Sequence, residues 1–200
     1  MNDLFELKAA DWDQRTIIQE IAAAVARSVT REIAMEPDWV AMDFGAGTGQ
    51  LSGRVSDYVE RIVAVDVSPA MLKQLAAKPE LAGKVQPLCQ DILREPLAER
   101  FDLIVSAMAM HHIEDTRALL RGLAAHLRPG GWLALADLDS EDGSFHAPPA
   151  QGVFHHGFDR GRLKAMAQSA GLVHCRVLDC HIVAKGGKDY PLFLMVAAAP

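Results

Sequence analysis

The chain has 200 residues, of which 50% are hydrophobic and 23% are charged, and its formal net charge is −6 at pH 7. This length and composition are typical of one globular domain with a substantial core. The acidic balance and the scattered Lys and Arg residues argue against a nucleic-acid partner, because no basic stretch is long enough to follow a phosphate backbone.

The cysteines and the apolar runs indicate the compartment. Cys89, Cys175 and Cys180 are odd in number and lack C-x-x-C spacing, so neither a disulfide framework nor a zinc site is predicted. Residues 1–6 show no basic region before an apolar one, and no apolar run approaches the ~20 residues that a membrane span needs. We therefore expect a cytoplasmic protein with reduced thiols and no membrane segment.

Strand and helix patterns alternate as far as residue 136. Apolar residues four apart predict the first helix, and the Ser68-Pro69 pair is typical of a helix start. Alternating strands and helices predict an α/β fold, with a parallel sheet and helices on both faces. The predicted order is helix 13–34, strand 39–44, a helix from Thr48, strand 62–65, helix 69–77, strand 85–89, strand 103–105, helix 116–127 stopped by residues 129–131, and strand 132–136.

The C-terminal part follows a different pattern. A helix near 163–170 precedes strands 172–183 and 192–197, and the short turn at 186–189 between these strands requires an antiparallel hairpin. Residues 139–159 lack clear periodicity and hold several Gly, Pro, His and Phe residues. Such a segment is either a substrate-binding loop or a surface excursion with a short helix.

The glycine-dense turn at 45–49 is the most informative segment. An apolar run ends in Asp43, and the pattern D-x-G-x-G-x-G follows. Glycines tolerate positive φ and let the backbone approach a ligand at the carboxyl end of a strand, where open α/β sheets bind small molecules. Gln50 occupies the position of the third glycine of a dinucleotide fingerprint, which argues against a nicotinamide cofactor.

Five motifs in a fitting order resemble those of the class I, Rossmann-like methyltransferases that use S-adenosylmethionine (SAM), in their small-molecule, type 11-like group. The resemblance extends from about residue 38 to residue 139. It implies a single methyltransferase domain over 1–200, with a doubly wound, mostly parallel seven-stranded sheet and a C-terminal antiparallel hairpin. It also implies methyl transfer from SAM to a small-molecule acceptor. The motifs are the glycine turn and the segments 62–72, 89–92, 101–112 and 127–133.

The resemblance assigns the SAM contacts. Asp66 should accept hydrogen bonds from both ribose hydroxyls, because a carboxylate offers two acceptor oxygens. Asp91 should meet the adenine amino group, or could instead cap a turn. Ser106, Ala107 and Met108 should line the floor near the methionine part. The expected cofactor-binding residues are Asp43, Gly45, Ala46, Gly47, Asp66, Val67, Met71, Asp91, Ile92, Ala107 and Met108.

His111 is the expected catalytic residue. It follows the fourth strand, where members of the family present residues to the transferred methyl group, and an imidazole can take up a proton near neutral pH. The alternative is a histidine that only packs or binds backbone, and His155 and His156 are rival candidates. A metal site that combines these two with His146 and His181 would match no standard ligand spacing, so no metal is predicted.

The remaining expectations concern lids and alternatives. Residues 1–36 should form a helical lid or cap, with Trp12 shielding the site or packing on the surface, and residues 139–159 should form the substrate loop. An NAD(P)-dependent Rossmann oxidoreductase and a non-catalytic SAM-binding regulator are the alternative functions. A homodimer is the oligomer considered.

Overall fold

The structure is a computed structural model that describes residues 3–146 and 150–200. The first five strands pair in parallel, and β7 runs antiparallel to both of its neighbours, so the order across the sheet is β3-β2-β1-β4-β5-β7-β6. The predicted α/β fold with a C-terminal antiparallel hairpin is confirmed. The strands are β1 (Val40–Phe44), β2 (Arg61–Asp66), β3 (Val85–Cys89), β4 (Phe101–Ala107), β5 (Leu127–Leu138), β6 (Val173–Lys185) and β7 (Lys188–Ala198).

Helices cover both faces of the sheet. The α-helices of the described chain are α1 (Thr16–Glu32), α2 (Ser52–Val55), α3 (Pro69–Ala76), α4 (Thr116–Ala125) and α5 (Arg160–Ser169). Ala41 of β1 lies in the apolar cluster that includes Val25 of α1, whereas its neighbour Met42 lies in the cluster that includes Leu120 of α4. Because each face has its own cluster, β1 is apolar and buried along most of its length. In the described part of the chain, no helix is long and apolar enough to cross a membrane.

The helix predicted over 13–34 is divided in the structure. A 3-10 helix (Glu6–Gln14) precedes α1, and the residue between them is extended. Asp13 explains the division, because its carboxylate accepts a hydrogen bond from the Thr48 hydroxyl at 2.5 Å and forms an ion pair with Lys78 at 2.6 Å. These contacts hold the 3-10 helix against the glycine turn, while α1 packs into the core.

The helix predicted after the glycine turn is much shorter than its pattern indicates. α2 spans Ser52–Val55, and a 3-10 turn (Ser56–Tyr58) follows directly. The Ser56 hydroxyl donates to the Gly53 carbonyl at 3.2 Å, which competes with helical backbone bonding, and Val59 is already extended. The chain therefore turns quickly from β1 towards β2.

The glycine-rich segment at 129–131 has a different role from the predicted one. α4 has already ended when β5 begins at Leu127, so residues 129–131, predicted to stop that helix, lie within β5. The pairing with β4 shifts register between Phe101 and Leu103, which makes the segment a bulge. A Cβ at Gly131 would lie 2.9 Å from the Phe101 carbonyl oxygen, so this close approach requires glycine.

The C-terminal hairpin is longer than predicted. β6 and β7 continue to a two-residue loop, Gly186-Gly187, instead of the predicted turn over 186–189. Both glycines have positive φ, +60° and +76°, which suits the tight hairpin turns that match strand twist.

The segment 139–159 is anchored at both ends. Asp139 pairs with Phe158 in an isolated bridge, and Arg160 donates two hydrogen bonds of 2.6 Å to the Asp139 carboxylate. Gly157 has φ +73°, and a Cβ there would lie 2.0 Å from the Asp139 carbonyl oxygen. The part of the predicted substrate loop at 147–149, like residues 1–2 of the predicted lid, lies outside the described residues.

Candidate functional site

One cavity of about 760 Å³ opens at the carboxyl ends of β1, β2 and β4. Its size falls in the range of small-molecule sites, and its position is where open α/β sheets bind ligands. The structure brings His111 and all eleven predicted cofactor-binding residues to the wall of this cavity. Their roles towards a ligand stay predictions.

The glycine turn forms one wall. Gly45 and Gly47 have φ values of +68° and +54°, in the left-handed region that glycine adopts without strain. A Cβ at Gly45 would lie 2.4 Å from the Ala109 Cβ, so Gly45 is required by the fold itself. A Cβ at Gly47 would have no described protein atom within 4 Å. The space beside Gly47 is therefore open to a ligand.

Asp66 links the second strand to the glycine turn. Its Oδ2 accepts a hydrogen bond from the Gly47 amide at 2.7 Å, and its Oδ1 accepts one from the Ser68 amide at 2.8 Å. Burial raises the pKa of the Asp66 carboxyl above its ordinary value, although the backbone amides favour the charged form. Each oxygen keeps a second acceptor position for a ligand hydroxyl.

Asp43 is the most deeply buried carboxyl on the cavity wall, with 1% exposure. Burial raises its pKa to about 7, and the charge of Asp66 adds to the effect. The Ser52 hydroxyl donates to Asp43 Oδ2 at 2.6 Å and partly opposes the shift. A cationic ligand group near Asp43 would favour the ionised carboxylate.

The predicted adenine-binding residues differ in their surroundings. Asp91 accepts a hydrogen bond from the Leu93 amide at 3.1 Å and pairs with Arg94 at 3.2 Å, so it does cap a turn, the alternative role left open for it. Ile92 and Met71 are buried, whereas Val67 is 57% exposed. A ring placed here would be packed on one side and open to solvent on the other.

The end of β4 forms the floor. Ala107 and Met108 line the cavity, and Met108 has φ +57°, an uncommon conformation for a residue other than glycine. Ser106 is not among the lining residues described; its buried hydroxyl donates to the Phe44 carbonyl at 2.6 Å and ties β4 to β1.

His111 is buried beside Asp137 at the end of β5. Its Nδ1 lies 2.8 Å from Asp137 Oδ1, and its backbone amide donates to Asp137 Oδ2 at 3.1 Å. No partner for His111 Nε2 is found within residues 3–146 and 150–200. The sequence pattern does not single out Asp137, because its pairing with His111 depends on β4 and β5 being neighbours.

Two further histidines surround His111. The His112 and His146 rings lie 4.2 and 4.8 Å from the His111 ring, centroid to centroid. Burial, and after it the proximity of His111, lowers the pKa of each to about 4. His146 was considered in the sequence only for a metal site, because nothing in the pattern shows that 139–159 folds back over the cavity. Within the described ranges, no group of three or more His, Cys, Asp or Glu side chains is arranged to hold a metal ion.

His155 and His156, the rival catalytic candidates, are absent from the described cavity wall. His155 Nε2 lies 3.0 Å from the Ile113 carbonyl oxygen and 3.1 Å from that of Glu114. His156 lies 3.7 Å from Glu141. His155 therefore fastens 150–156 to the segment after β4, which is a structural role.

The N-terminal segment lies over the cavity. Phe5, Lys8 and Trp12 line it, and the Trp12 ring contacts the Phe5 ring edge to face at 5.9 Å. Asp3 accepts hydrogen bonds from the Ser68 hydroxyl at 2.8 Å and from the Ala70 amide at 3.2 Å. The first residues of the described chain are thus attached to the start of α3.

A family model described as a methyltransferase domain matches residues 41–131, which contain the glycine turn and the first four strands. The chain carries a methyltransferase domain. An uncharacterized methyltransferase of Schizosaccharomyces pombe is 32% identical over 154 residues, which are 68% of this chain and 54% of that protein. The chain thus spans about half the length of this relative.

Two solved methyltransferase structures share the fold of the whole domain. A Haloferax volcanii methyltransferase, solved in complex with the Trm112 methyltransferase activator, has a TM-score of 0.80 at 20% identity, over 100% of this chain and 99% of that one. The N-methyltransferase NodS of Bradyrhizobium japonicum, solved with S-adenosyl-L-homocysteine, has a TM-score of 0.74 at 19% identity, over 98% and 95% of the two chains. The class I methyltransferase domain expected from the five motifs is confirmed in family and in fold.

Proposed function

We propose that this protein transfers a methyl group from SAM to a small-molecule acceptor. The observation that carries the proposal is the convergence of the glycine turn, Asp66 and Asp43 on one wall of a cavity large enough for cofactor and acceptor. A methyltransferase family match and a structural neighbour solved with S-adenosyl-L-homocysteine support SAM as the cofactor.

The residues of the cavity fit SAM. SAM supplies a methyl group on a positively charged sulfur, and transfer joins that carbon to an acceptor electron pair as the carbon–sulfur bond breaks with its electrons left on sulfur. The open space at Gly47 gives the backbone close access to the methionine and ribose parts. Asp66 receives the ribose hydroxyls, and Asp43 receives the amino group, directly or through water. Asp91 and Ile92 lie beside the adenine, with Val67 and Met71 against the ring.

The acceptor binds at the other end of the cavity. Ala107, Met108 and His111 lie at the end of β4, next to the place of the transferred methyl group. The described parts of 139–159 supply Phe145, His146 and Phe154, and the N-terminal segment covers them. In this proposal both segments are substrate-binding, and closing them excludes water and aligns the reactants, an effect worth up to ~7–11 kcal/mol.

Partners and location belong to the proposal too. The acceptor is a metabolite, with no nucleic acid involved, and the three free cysteines support a cytoplasmic location. A homodimer and a small activator protein of the Trm112 kind are the two partner states to compare, the second because of the H. volcanii complex. The molar mass of the purified protein by light scattering, alone and after mixing with such an activator, distinguishes them.

Calorimetry with SAM and with NAD tests the cofactor. We expect SAM to bind and NAD not to bind, and the reverse result would favour the oxidoreductase alternative. Incubation of the protein and methyl-labelled SAM with a metabolite extract then tests catalysis. Label transferred to a small molecule supports the proposal, whereas SAM binding without transfer to any acceptor favours a regulatory protein.

A further inference from the structure

We infer that Asp137 and His111 act as a pair that removes the proton of a hydroxyl group on a planar acceptor, with His111 Nε2 as the proton acceptor. The inference rests on the proposed function, because it concerns the acceptor of the same methyl transfer. His111 is the catalytic residue of the pair. Asp137 is a positioning residue, because it acts through His111.

Asp137 is fixed by three groups. Its Oδ2 accepts a hydrogen bond from the His111 amide at 3.1 Å. Its Oδ1 accepts one from the Leu138 amide at 2.8 Å. The same Oδ1 lies 2.8 Å from His111 Nδ1. The side chains of His111 and Asp137 are 1% and 0% exposed. An ionised carboxylate only accepts hydrogen bonds, so Nδ1 carries the imidazole proton. In the neutral ring, Nε2 then has a free electron pair.

His111 Nε2 is a buried nitrogen with no hydrogen-bond partner in the described chain. An unmatched buried group destabilises the fold, and folded proteins rarely leave one without a reason. The His111 ring lines the cavity together with Met108, at the acceptor end. Because Nε2 has almost no exposed surface, a hydroxyl donor bound there would reach it after a shift of the rings that pack around His111, and it would then complete the hydrogen bonding of Nε2.

His126 shows that the fold can satisfy a buried histidine. This residue is 3% exposed, and its Nδ1 lies 2.7 Å from the Gly122 carbonyl oxygen. Its Nε2 accepts from the Leu97 amide at 2.9 Å. Both nitrogens of His126 are thus occupied by backbone, in contrast to His111.

The neighbouring charges distinguish His111 from the two other histidines. His112 and His146 are neutral near pH 7, because burial holds the pKa of each near 4. Lys8 and Lys185 lower the pKa of His112 and His146, respectively, by their charge. His111, by contrast, has the Asp137 carboxylate in direct contact. The Asp137 carboxylate can therefore stabilise the positive charge that His111 gains in the inferred step.

The shape of the acceptor end favours a planar acceptor. Flat rings line it and meet one another edge to face or at a tilt. Lys8 and Lys185 also line the cavity, and their positive charge favours an acceptor oxygen that becomes negative as it loses its proton. A phenol or an enol has both properties. The rings are those of Phe5, Trp12, His112, Phe145 and His146.

In the inferred step, the acceptor O–H bond breaks and the proton moves to His111 Nε2, which leaves an imidazolium beside the Asp137 carboxylate. The electron pair of the broken bond stays on oxygen and forms the new bond to the methyl carbon, as the carbon–sulfur electrons leave on sulfur. A carboxylate acceptor needs no such base. A protonated amine would need one, but the positive charges of Lys8 and Lys185 on the cavity wall disfavour a cationic acceptor. The pair therefore indicates a hydroxyl acceptor.

Nitrogen-15 NMR of the histidine rings tests the pair without any turnover. In the wild-type protein, we expect the His111 signals of a neutral ring with the proton on Nδ1. Adding 3,4-dihydroxybenzoate to the protein saturated with S-adenosylhomocysteine should shift the His111 Nε2 signal, while the His126 signals stay unchanged. A proton on Nε2 in the free protein, or no shift at saturating phenol, would overturn the inference.

Asp137→Asn tests the positioning role of Asp137, because it leaves the other residues of the cavity unchanged. We screen phenols, amines and carboxylic acids for transfer of labelled methyl groups, and we expect phenols to be methylated. With the best phenol, Asp137→Asn and His111→Gln should each lower kcat about 100-fold and flatten the rise of kcat with pH, with the SAM Kd changed less than about threefold. His126→Gln is the matched control, and it should lower stability but not kcat of the folded protein.

The outcomes separate this inference from the function on which it rests. Absence of SAM binding and of any transfer would reject the methyltransferase proposal itself. Normal SAM binding with transfer only to amines or carboxylates, or an unchanged kcat and pH profile in folded Asp137→Asn, would reject the inference alone. If Asp137→Asn does not fold, His111→Gln and the NMR experiment decide the matter.

Discussion

The carboxylate of Asp66 accepts a hydrogen bond of 2.7 Å from the backbone amide of Gly47. The acid at the end of the second strand therefore holds the turn that follows the first strand. The parallel pairing of β1 with β2 makes this contact possible, because it places Phe44, the last residue of β1, opposite Val65, the last but one of β2. The positions of the glycine turn and of the Asp66 carboxylate therefore depend on each other.

We predict that Asp66→Ala weakens SAM binding by about 1–3 kcal/mol, because the ribose hydroxyls lose their acceptor and the glycine turn loses an anchor. Calorimetry measures the change, and circular dichroism checks that the variant is folded. An affinity equal to that of the wild type in the folded variant would contradict the ribose assignment.

Gly47→Ala and Gly45→Ala form a matched pair. Both residues have positive φ, so either substitution should cost about 1–2 kcal/mol of folding free energy from backbone strain. Gly45→Ala also brings a methyl group against Ala109, which adds about 1–3 kcal/mol. Gly47→Ala instead places its methyl group in open space on the cavity wall. We expect Gly47→Ala to remove SAM affinity, as measured by calorimetry. In urea unfolding, it should lose less stability than Gly45→Ala. Greater loss of stability for Gly47→Ala would show that the turn is packed differently.

The buried Asp43 predicts a pH dependence of stability. Its pKa in the folded protein is about 7, against an ordinary value of 3.8 in the unfolded chain. Between these values the folded state binds more protons than the unfolded state, so the free energy of unfolding falls as pH rises from about 4 to about 7. Above pH 7 the penalty is complete, on the order of 4 kcal/mol.

Asp43→Asn isolates this contribution, because the amide oxygen can still accept from Ser52 but cannot ionise. We expect the variant to gain stability relative to the wild type as pH rises from 4 to 7, with no further gain up to pH 9. Urea unfolding at several pH values measures the difference. A constant difference across this range would mean that Asp43 ionises in the folded protein as readily as in the unfolded chain.

The contacts of Asp13 with Thr48 and Lys78 should hold the N-terminal segment in place. Burial disfavours its ionised form, but hydrogen bonds from Lys78 and Thr48 outweigh burial and lower its pKa. We expect Asp13→Ala to release residues 6–14, with faster amide hydrogen exchange there and a SAM dissociation rate increased about tenfold. Asp11→Ala is the control, since its ion pair with Arg15 is exposed and worth little. Equal effects of the two variants would mean that Asp13 does not anchor the segment.

The alternation of strands and helices could be predicted because each element carries its own periodicity. The buried run that ends at Asp43 and the Ser68-Pro69 helix start are local features, and both lie where they were expected. The short α2 and the bulge at 129–131 were missed. The first depends on a serine side chain that competes for a backbone carbonyl, and the second on the register between two strands. Intrinsic helix and strand propensities therefore predict neither the short α2 nor the bulge.

The cofactor side of the site was more predictable than the acceptor side. Asp43, the glycines and Asp66 follow strands that are adjacent in sequence as well as in space. The contacts of Asp137 and His146 with His111 join positions 26 and 35 residues away along the chain. Only the order of β4 and β5 and the fold of 139–146 bring them together. Anchors such as Asp3 and Asp13 were likewise hidden, because a surface acid and an anchoring acid look the same in a sequence.

The position of β7 between β5 and β6 has a consequence for biosynthesis. Residues 188–198 emerge from the ribosome after the other six strands, yet in the described sheet β6 pairs with β7, which separates it from β5. Until residues 188–198 are made, the edge of β5 is open and β6 has no strand to pair with in the nascent domain. The sheet can therefore close only once these residues have been translated, and a chain interrupted at Gly187 would keep the cavity-forming strands but expose an edge prone to aggregation.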